Sequence, residues 1–136
     1  MPNQKIRKSK YTLRVGKSSA GLGLFAEEEI PRSAFIIEYF GPIISGDEAD
    51  EYGGKYLFEI NKKTVINGVS RKNSARYINH SCKPNCYAEI DDKRVFIYTR
   101  RKIQPGEELS YNYGKEYFAD VIKPSGCKCT HCAKAV

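Results

Sequence analysis

Three cysteines near the C-terminus form the densest group of side chains that could do chemistry. They follow the pattern Cys-x-Cys-x-x-Cys, at Cys127, Cys129 and Cys132. Thiolates this close together suit one tetrahedral Zn²⁺, whose structural sites take four sulfur or nitrogen ligands. The cluster therefore needs a fourth ligand, and the alternative is a set of reduced thiols without a metal.

A second polar group lies mid-chain, in Arg76-Tyr77-Ile78-Asn79-His80-Ser81-Cys82-Lys83-Pro84-Asn85-Cys86. The amide of Asn79 both donates and accepts hydrogen bonds, which suits recognition of an amino acid's ammonium or carboxylate. His80 is one of only two histidines. We expect its ring to have a structural role, capping a turn or satisfying a buried carbonyl, and its backbone to serve a ligand.

Tyrosines form the third group. Tyr111 and Tyr113 flank one residue, so both rings point to the same face of a predicted strand. Tyr56 opens another tyrosine-bearing run, Tyr56-Leu57-Phe58. Ten tyrosines against six phenylalanines indicate hydroxyl groups placed in a wet or functional pocket. The alternative for each tyrosine is ordinary packing on a half-buried strand.

A small glycine motif, Gly21-Leu22-Gly23, lies near the N-terminus. Glycine lets the backbone approach a ligand closely, although a tight turn between strands would also explain the motif. The dinucleotide-binding fingerprint Gly-x-Gly-x-x-Gly is not completed, because position 26 is Ala26 and no long helix follows. A Rossmann fold is therefore not expected.

The elements that position these groups are short strands separated by Gly, Pro, Asn and Asp turns. Apolar runs rich in β-branched and aromatic residues predict strands at residues 11–15, 24–26, 34–40, 56–60, 64–66, 87–90 and 95–99. Residues 16–23 are expected to form a loop, and residues 48–52 and 72–77 short helical turns. Hairpin turns are expected at 61–63 and 91–92. The result is a mostly β domain.

The mid-chain segment and Gly106-Glu107-Glu108-Leu109-Ser110-Tyr111-Asn112-Tyr113-Gly114, about 30 residues later, resemble the two signature motifs of the SET-domain lysine methyltransferases. The resemblance runs from about residue 11 to residue 132. It implies a SET fold, with several small curved sheets and a C-terminal pseudoknot through which the mid-chain segment threads. The implied organisation is a flexible basic N-terminus (1–10), a SET domain (11–115) and a post-SET zinc-binding tail (116–136).

The resemblance also implies S-adenosylmethionine as cofactor. The cofactor-binding residues carried over are Gly21, Leu22, Gly23, Arg76, Asn79, His80, Tyr113 and Phe118. Tyr113 takes the position beside the transferred methyl group, and Tyr56 lines the lysine channel. Tyr111 stands where family members carry Phe or Tyr, and a hydroxyl there crowds out further methyl groups. Mono- or dimethylation is therefore expected over trimethylation.

In family members with a post-SET segment, the fourth zinc ligand is the cysteine of Asn-His-Ser-Cys. The implied ligands of a structural zinc are therefore Cys82, Cys127, Cys129 and Cys132. The usual spacing leaves four residues before the last cysteine and this chain has two, so His131 remains a possible substitute ligand. Cys86 is expected to be a small buried residue or a partly exposed thiol.

The chemistry implied is displacement of a methyl group from a sulfonium by a neutral amine. A lysine side chain, with a reference pKa of about 10.4, must first lose its proton. Burial in an aromatic channel beside a positive sulfonium lowers the lysine pKa by desolvation and like-charge repulsion. Aromatic walls also tolerate the methylated cation through cation–π attraction. No metal or nucleophilic side chain is needed for this transfer.

The formal net charge of +7 is concentrated in basic patches at the N-terminus, around Arg71, Lys72 and Arg76, and at residues 100–102. Such patches are either a solvated surface or a site of non-specific contact with DNA phosphates. Acidic residues offer the opposite attraction, toward a basic protein or histone tail; the candidates are Glu48, Asp50, Glu51, Asp91 and Asp92. For these as well, solvated turn charges are the alternative.

The sequence has no apolar run near the roughly 20 residues of a spanning helix and no signal peptide, so no membrane partner is expected. Five closely spaced cysteines favour an intracellular metal site over secreted disulfides. We expect a nuclear location in a eukaryote, and a cytoplasmic protein or secreted effector in a bacterium. The competing hypothesis to an enzyme is a catalytically silent SET-fold module that binds chromatin or nucleic acid.

Overall fold

The computed structural model describes residues 5–19, 21–52 and 56–112. Within these ranges the chain is mostly β, as the sequence predicted. The elements in chain order are β1 Leu13–Ser18, β2 Gly21–Ala26, β3 Phe35–Tyr39, β4 Ile43–Ile44, α1 Gly46–Tyr52, β5 Leu57–Asn61, β6 Thr64–Asn67, a 3₁₀ turn Ser74–Tyr77, β7 Asn79–His80, β8 Cys86–Asp91, β9 Arg94–Thr99 and β10 Ser110–Tyr111.

In the described part of the chain, the strands form four small sheets. β1 and β2 make an antiparallel hairpin, and two antiparallel three-stranded sheets have the orders β4-β6-β5 and β3-β9-β8. The remaining sheet is a parallel pair of β7 and β10. Several small sheets in place of one large sheet agree with the predicted SET fold. No helix among the described residues has the length and apolar character to cross a bilayer.

The hydrophobic core is built around β9, the central strand of the β3-β9-β8 sheet. Val95 and Ile97 of β9 are fully buried, and so is Ile36 of β3. The hairpin, the 3₁₀ turn and the segments beside β9 and β10 add further buried side chains to the same cluster: Leu24, Ala26, Ala75, Ile78, Ile103 and Leu109. Burial of each large aliphatic side chain contributes about 1.5–3 kcal/mol, so this cluster is the main stabilising element.

A buried amide joins the end of β3 to the end of β6. Asn73 is fully buried; its Oδ1 accepts a hydrogen bond from the Phe40 N–H (3.2 Å), and its Nδ2 donates to the Gly68 carbonyl (3.1 Å). A Cβ on Gly68 would meet both the Asn73 amide and the ring of Tyr39. Glycine is therefore required for this close approach, which holds the 3₁₀ turn against two sheets.

A second buried amide joins β7 to β10. In the parallel pair, Ser110 lies opposite Asn79 and Tyr111 opposite His80. Asn85, only 4% exposed, donates from Nδ2 to the Glu108 carbonyl (2.8 Å) and accepts from the Ser110 N–H at Oδ1 (2.9 Å). We call these two hydrogen bonds the Asn85 clamp. They fix the segment that follows β7 to the segment that enters β10.

The loop predicted at residues 16–23 is wrong. β1 continues through Gly16 to Ser18, β2 begins at Gly21, and Gly16 lies opposite Gly23 in the hairpin register. Glycine is rare in strands because it brings no side chain to pack. Here the two glycines make room for side chains, since a Cβ at Gly16 would meet Arg14 and Phe25 and a Cβ at Gly23 would meet Glu108. The helical turn predicted at 72–77 is confirmed as the shorter 3₁₀ turn.

Candidate active site

The glycine motif lies at the start of β2, close to the side chain of Asn79. Gly21 has φ = 105°, a conformation that glycine adopts readily and other residues rarely do. Leu22 is 52% exposed, and its carbonyl accepts a hydrogen bond from Asn79 Nδ2 (2.8 Å). Two predicted cofactor-binding segments, far apart in sequence, therefore meet in the fold.

The same amide nitrogen has two further partners. Asn79 Nδ2 lies 3.0 Å from Oε2 of Glu108 and 3.3 Å from the hydroxyl of Ser18. The Asn79 amide oxygen accepts no hydrogen bond from residues 5–19, 21–52 or 56–112. The NH₂ group of Asn79 is thus used within the protein, and its amide oxygen is available to accept a hydrogen bond from a ligand.

His80 follows Asn79 and is 93% buried, since only 7% of it is exposed. Its Nε2 lies 3.5 Å from the sulfur of Cys82. Burial lowers the pKa of His80 from its usual value, so the ring is neutral near pH 7. The ring lies beside Cys82, which itself is exposed, and the structural role expected for it stays a prediction.

Tyr111 is 6% exposed and belongs to an aromatic cluster that crosses three sheets. Its ring stacks on Phe58 of β5 with centroids 6.2 Å apart, and Phe58 in turn lies 5.4 Å from Tyr39 of β3. The three rings belong to β10, β5 and β3, so the cluster forms only when the three sheets that contain these strands pack together. It gives the site an aromatic, desolvated side next to the polar side around Asn79.

Tyr56 and Arg76 form a separate pair. Tyr56 precedes β5 with φ = 68°, a left-handed conformation that is uncommon outside glycine. The guanidinium of Arg76 lies 4.1 Å above the Tyr56 ring and 4.9 Å from the ring of Tyr77, and its Nη1 donates to the Val69 carbonyl. Arg76 therefore contacts the predicted lysine-channel tyrosine, and its predicted role in cofactor binding stays a prediction.

Several predicted site residues lie outside the described residues. They are Tyr113, Phe118, Cys127, Cys129 and Cys132, together with the possible substitute ligand His131. Among the residues that the structure describes, no three His, Cys, Asp or Glu side chains are grouped as a metal site. The zinc site consequently remains a prediction, of which Cys82 is the described part.

Cys86 is the other described cysteine, and it is fully buried, which is one of the two environments expected for it. Its sulfur donates to Asn85 Oδ1 (3.3 Å). Burial is the main cause that raises the pKa of the Cys86 thiol to about 12. Cys86 is therefore a protonated, packed residue, distinct in environment from the exposed Cys82.

Acidic and basic side chains are grouped at different places on the described part of the chain. The four carboxylates of α1, none of them buried, are Asp47, Glu48, Asp50 and Glu51. This helix contacts β5 and β6, the sheet that carries Phe58. Basic residues lie elsewhere: Arg7, Lys8 and Lys72 line one groove of about 310 Å³ between the N-terminal segment and the 3₁₀ turn. Of the remaining acidic candidates, Asp91 ends β8 and Asp92 begins the exposed turn that leads to β9.

Sequence reasoning missed three residues of this site: Ser18, Asn85 and Glu108. Glu108 belongs to the quoted motif, yet no role could be assigned because its contact with Asn79 spans 29 residues. Ser18 was placed in a loop, although it ends β1 and meets Asn79 across 61 residues. The sequence showed only that Asn85 and Glu108 lie within the quoted motifs and that Ser18 lies close to the glycine motif. Such positions do not show which groups each side chain contacts.

Comparison with known proteins gives a consistent result. Residues 21–114 match the SET domain family. Over 93% of its length the chain is 39% identical to "Histone-lysine N-methyltransferase, H3 lysine-4 specific" of Aspergillus oryzae. Over 84% of its length it is 38% identical to "Histone-lysine N-methyltransferase set1" of Dictyostelium discoideum, and 37% identical to "Histone-lysine N-methyltransferase 2D" of Homo sapiens. The chain spans 12%, 8% and 2% of the lengths of these relatives.

The matched residues contain both motifs identified in the sequence and all ten strands except β1. The small sheets and the parallel β7–β10 pair are therefore features of the matched region itself. By sequence and by fold, the chain belongs to the SET domain family.

Proposed function

We propose that this protein transfers a methyl group from S-adenosylmethionine to the side-chain amine of lysine in a basic protein, with histones as the first substrates to test. The observation that carries the proposal is the parallel pairing of β7 with β10, which sets a polar amide beside a desolvated aromatic cluster. The relatives named above support the substrate class, since all three are named histone-lysine N-methyltransferases.

The cofactor side of the proposed site is the hairpin and β7. S-adenosylmethionine, when bound, supplies the methyl group on its sulfonium. The described residues fit such a ligand, because the Asn79 oxygen offers an acceptor for an ammonium group and Gly21 leaves the backbone unshielded. We assign cofactor binding to Gly21, Leu22, Gly23, Arg76, Asn79, His80, Tyr113 and Phe118.

The lysine side of the proposed site is aromatic. Tyr111 and Phe58 provide apolar walls that exclude water from an alkyl stem. A lysine amine entering such a site loses hydration, which lowers its pKa and favours the neutral, nucleophilic form. Tyr56, Tyr111 and Tyr113 are assigned to this channel, and alignment of the amine with the methyl group supplies most of the rate.

Substrate attraction is assigned to α1. Its carboxylates are exposed on a protein whose net charge is +7, so they form a local acidic surface on a basic molecule. This helix contacts β5, which carries Phe58, and a basic peptide drawn to α1 would therefore lie near the aromatic cluster.

Non-specific contact with DNA is the role proposed for the basic groove. Arg7, Lys8 and Lys72 line it together, and the one carboxylate among the described lining residues, Glu38, is paired with Arg94. Positive charge from two distant parts of the chain is therefore concentrated there. Binding through phosphates weakens steeply with salt. Affinity for a DNA duplex that stays constant between low and physiological salt would contradict this role.

A structural zinc is assigned to Cys82, Cys127, Cys129 and Cys132, with residues 116–136 as the tail that it fastens. The exposed sulfur of Cys82 suits a ligand, and the nearby Nε2 of His80 supplies a polar neighbour for it. Cys86 is not assigned as a ligand, because its side chain is fully buried. The metal would hold the tail beside β7, and it takes no part in methyl transfer.

The enzyme and the role of Tyr113 are tested in one assay. We expect the zinc-loaded protein to transfer labelled methyl from S-adenosylmethionine to histones, and Tyr113→Phe to lower the rate about 100-fold, since it removes a hydroxyl positioned at the reacting groups. The matched control is Tyr87→Phe on the exposed face of β8, which should retain full activity. Absence of both transfer and cofactor binding in the wild type would overturn the proposal and favour a silent binding module.

The product state tests Tyr111. We expect mass spectrometry to show mono- and dimethyl-lysine with the wild type and a gain of trimethyl-lysine with Tyr111→Phe, because loss of the hydroxyl leaves room for another methyl group. Tyr98→Phe, which changes a tyrosine of β9 stacked on Tyr87, serves as control and should leave the product ratio unchanged. Abundant trimethyl-lysine from the wild type would contradict the role of Tyr111.

Metal content tests the zinc assignment. Elemental analysis should find one zinc per chain, and Cys82→Ser should lower the retained metal several-fold after dialysis against a chelator, since three ligands hold zinc more weakly than four. Cys86→Ala should retain zinc as the wild type does. Loss of zinc from His131→Ala, with retention by Cys132→Ser, would show that the histidine is the ligand instead.

A further inference from the structure

We propose that Glu108 is a positioning residue that fixes the side-chain amide of Asn79 with its oxygen turned toward the cofactor. This inference rests on the proposed function and adds a residue to it. Glu108 is half-buried, and no contact with the cofactor is assigned to it. It acts through the hydrogen bond between its carboxylate and Asn79 Nδ2.

The partners of Asn79 determine which end of its amide is nitrogen. The Leu22 carbonyl and the Glu108 carboxylate both lie at hydrogen-bonding distance, 2.8 and 3.0 Å. Neither group can donate a proton, so an amide turned the other way would place its oxygen against two acceptors. The orientation is therefore set by chemistry, and the amide oxygen faces the opposite direction.

Glu108 is itself held in place from both sides. Its backbone forms a bridge with Phe25 of β2, and the next residue, Leu109, donates to the Leu24 carbonyl (2.8 Å). Its own carbonyl accepts from the Asn85 side chain. The carboxylate thus starts from a rigid segment, which is what a positioning residue requires.

Gly23 provides the room for this contact. A Cβ at position 23 would meet the Glu108 carboxylate and crowd Ser18. The second glycine of Gly-x-Gly therefore has a physical role apart from backbone flexibility, because it lets the carboxylate reach Asn79. The carboxylate consequently links β7 to the segment before β10, and it passes beside Gly23 of the hairpin.

The consequence for binding is specific to the cofactor. With its nitrogen bound to Glu108, Asn79 presents oxygen, the acceptor that an α-ammonium group needs. Without Glu108, the amide loses one of two acceptor-only partners and rotates more easily, so its NH₂ end competes for the same position. Since a hydrogen bond to a charged group is stronger than a neutral one, we expect about a ten-fold loss of cofactor affinity.

The test measures the dissociation constant of S-adenosylmethionine by calorimetry on the full, zinc-loaded chain. Glu108→Ala should raise it about ten-fold. Glu108→Gln should stay within about three-fold of the wild type, because an amide oxygen still accepts from Asn79. The KM for a histone peptide at saturating cofactor should change little in both variants. If Glu108→Ala does not fold, Glu108→Leu replaces it, since leucine keeps bulk without an acceptor.

A double-mutant cycle shows whether Glu108 acts through Asn79. The double variant Asn79→Ala/Glu108→Ala should bind no more weakly than Asn79→Ala alone. The matched control is Glu107→Ala, whose carboxylate instead pairs with Arg101 at 2.9 Å and should leave cofactor affinity unchanged. If the losses of affinity in the two single variants add up in the double variant, the inference is overturned. Equal weakening by Glu108→Gln and Glu108→Ala would also overturn it, because it would indicate that the charge of Glu108 matters and not its hydrogen bond to Asn79.

The outcome also separates this inference from the proposed function. A wild-type protein that does not bind S-adenosylmethionine would overturn the proposed function, and the inference with it. A wild type that binds, together with Glu108→Ala that binds equally well, would overturn the role of Glu108 alone.

Discussion

The Asn85 clamp is the interaction on which the geometry of the site depends. β7 and β10 are only two residues long each, and they pair in parallel although the chain between them contains the β8–β9 hairpin. So short a parallel pair has little stability of its own. The buried amide of Asn85 adds two hydrogen bonds, to Glu108 and Ser110, at the point where β10 begins. Local structure could not hold these segments together.

The consequences of this pairing extend to both sides of the site. On the polar side, it places Asn79 within reach of the hairpin carbonyl of Leu22 and the carboxylate of Glu108. On the aromatic side, it carries Tyr111 to the stack on Phe58. The two sides correspond to the two substrates of the proposed reaction, a cationic cofactor and an alkyl amine. A single short pair of strands therefore brings together the polar and the aromatic surfaces to which the proposed reaction assigns its two substrates.

The sequence predicted strands and turns better than it predicted which distant residues contact each other. The β8–β9 hairpin and the strands around Phe58 were correct because apolar runs and turn residues report on local backbone preference. The hairpin of β1 and β2 was mistaken for a loop, since Gly16 and Gly23 each suggest a loop on their own, whereas the structure pairs them across two strands. Pairing between the two strands, which the local sequence does not reveal, determined the structure of this segment.

The candidate site was only partly accessible from the sequence. Motif resemblance identified Asn79 and Tyr111, and the structure shows that their strands pair. The roles of Glu108 and Asn85 depend on contacts across 29 and 25 residues, and no periodicity encodes such contacts. Both belong to quoted motifs, so resemblance located them without indicating their partners. The zinc ligands, Cys82 included, remain a prediction of the sequence.

The most direct test of this account is the unfolding free energy and cofactor affinity of Asn85→Ala, measured beside Asn61→Ala. Asn61 ends β5, and its side chain accepts one exposed hydrogen bond, from the Lys63 N–H, within the part of the chain that the structure describes. Asn61→Ala is therefore the same chemical change at a site outside the Asn85 clamp. Asn85→Ala leaves the partly buried Ser110 N–H and Glu108 carbonyl without these partners. We expect the substitution to lower the free energy of unfolding by about 2–4 kcal/mol and to weaken cofactor binding strongly. Asn61→Ala should cost about 0.5 kcal/mol and leave binding unchanged. Equal, small effects of the two substitutions would contradict the central role of the Asn85 clamp.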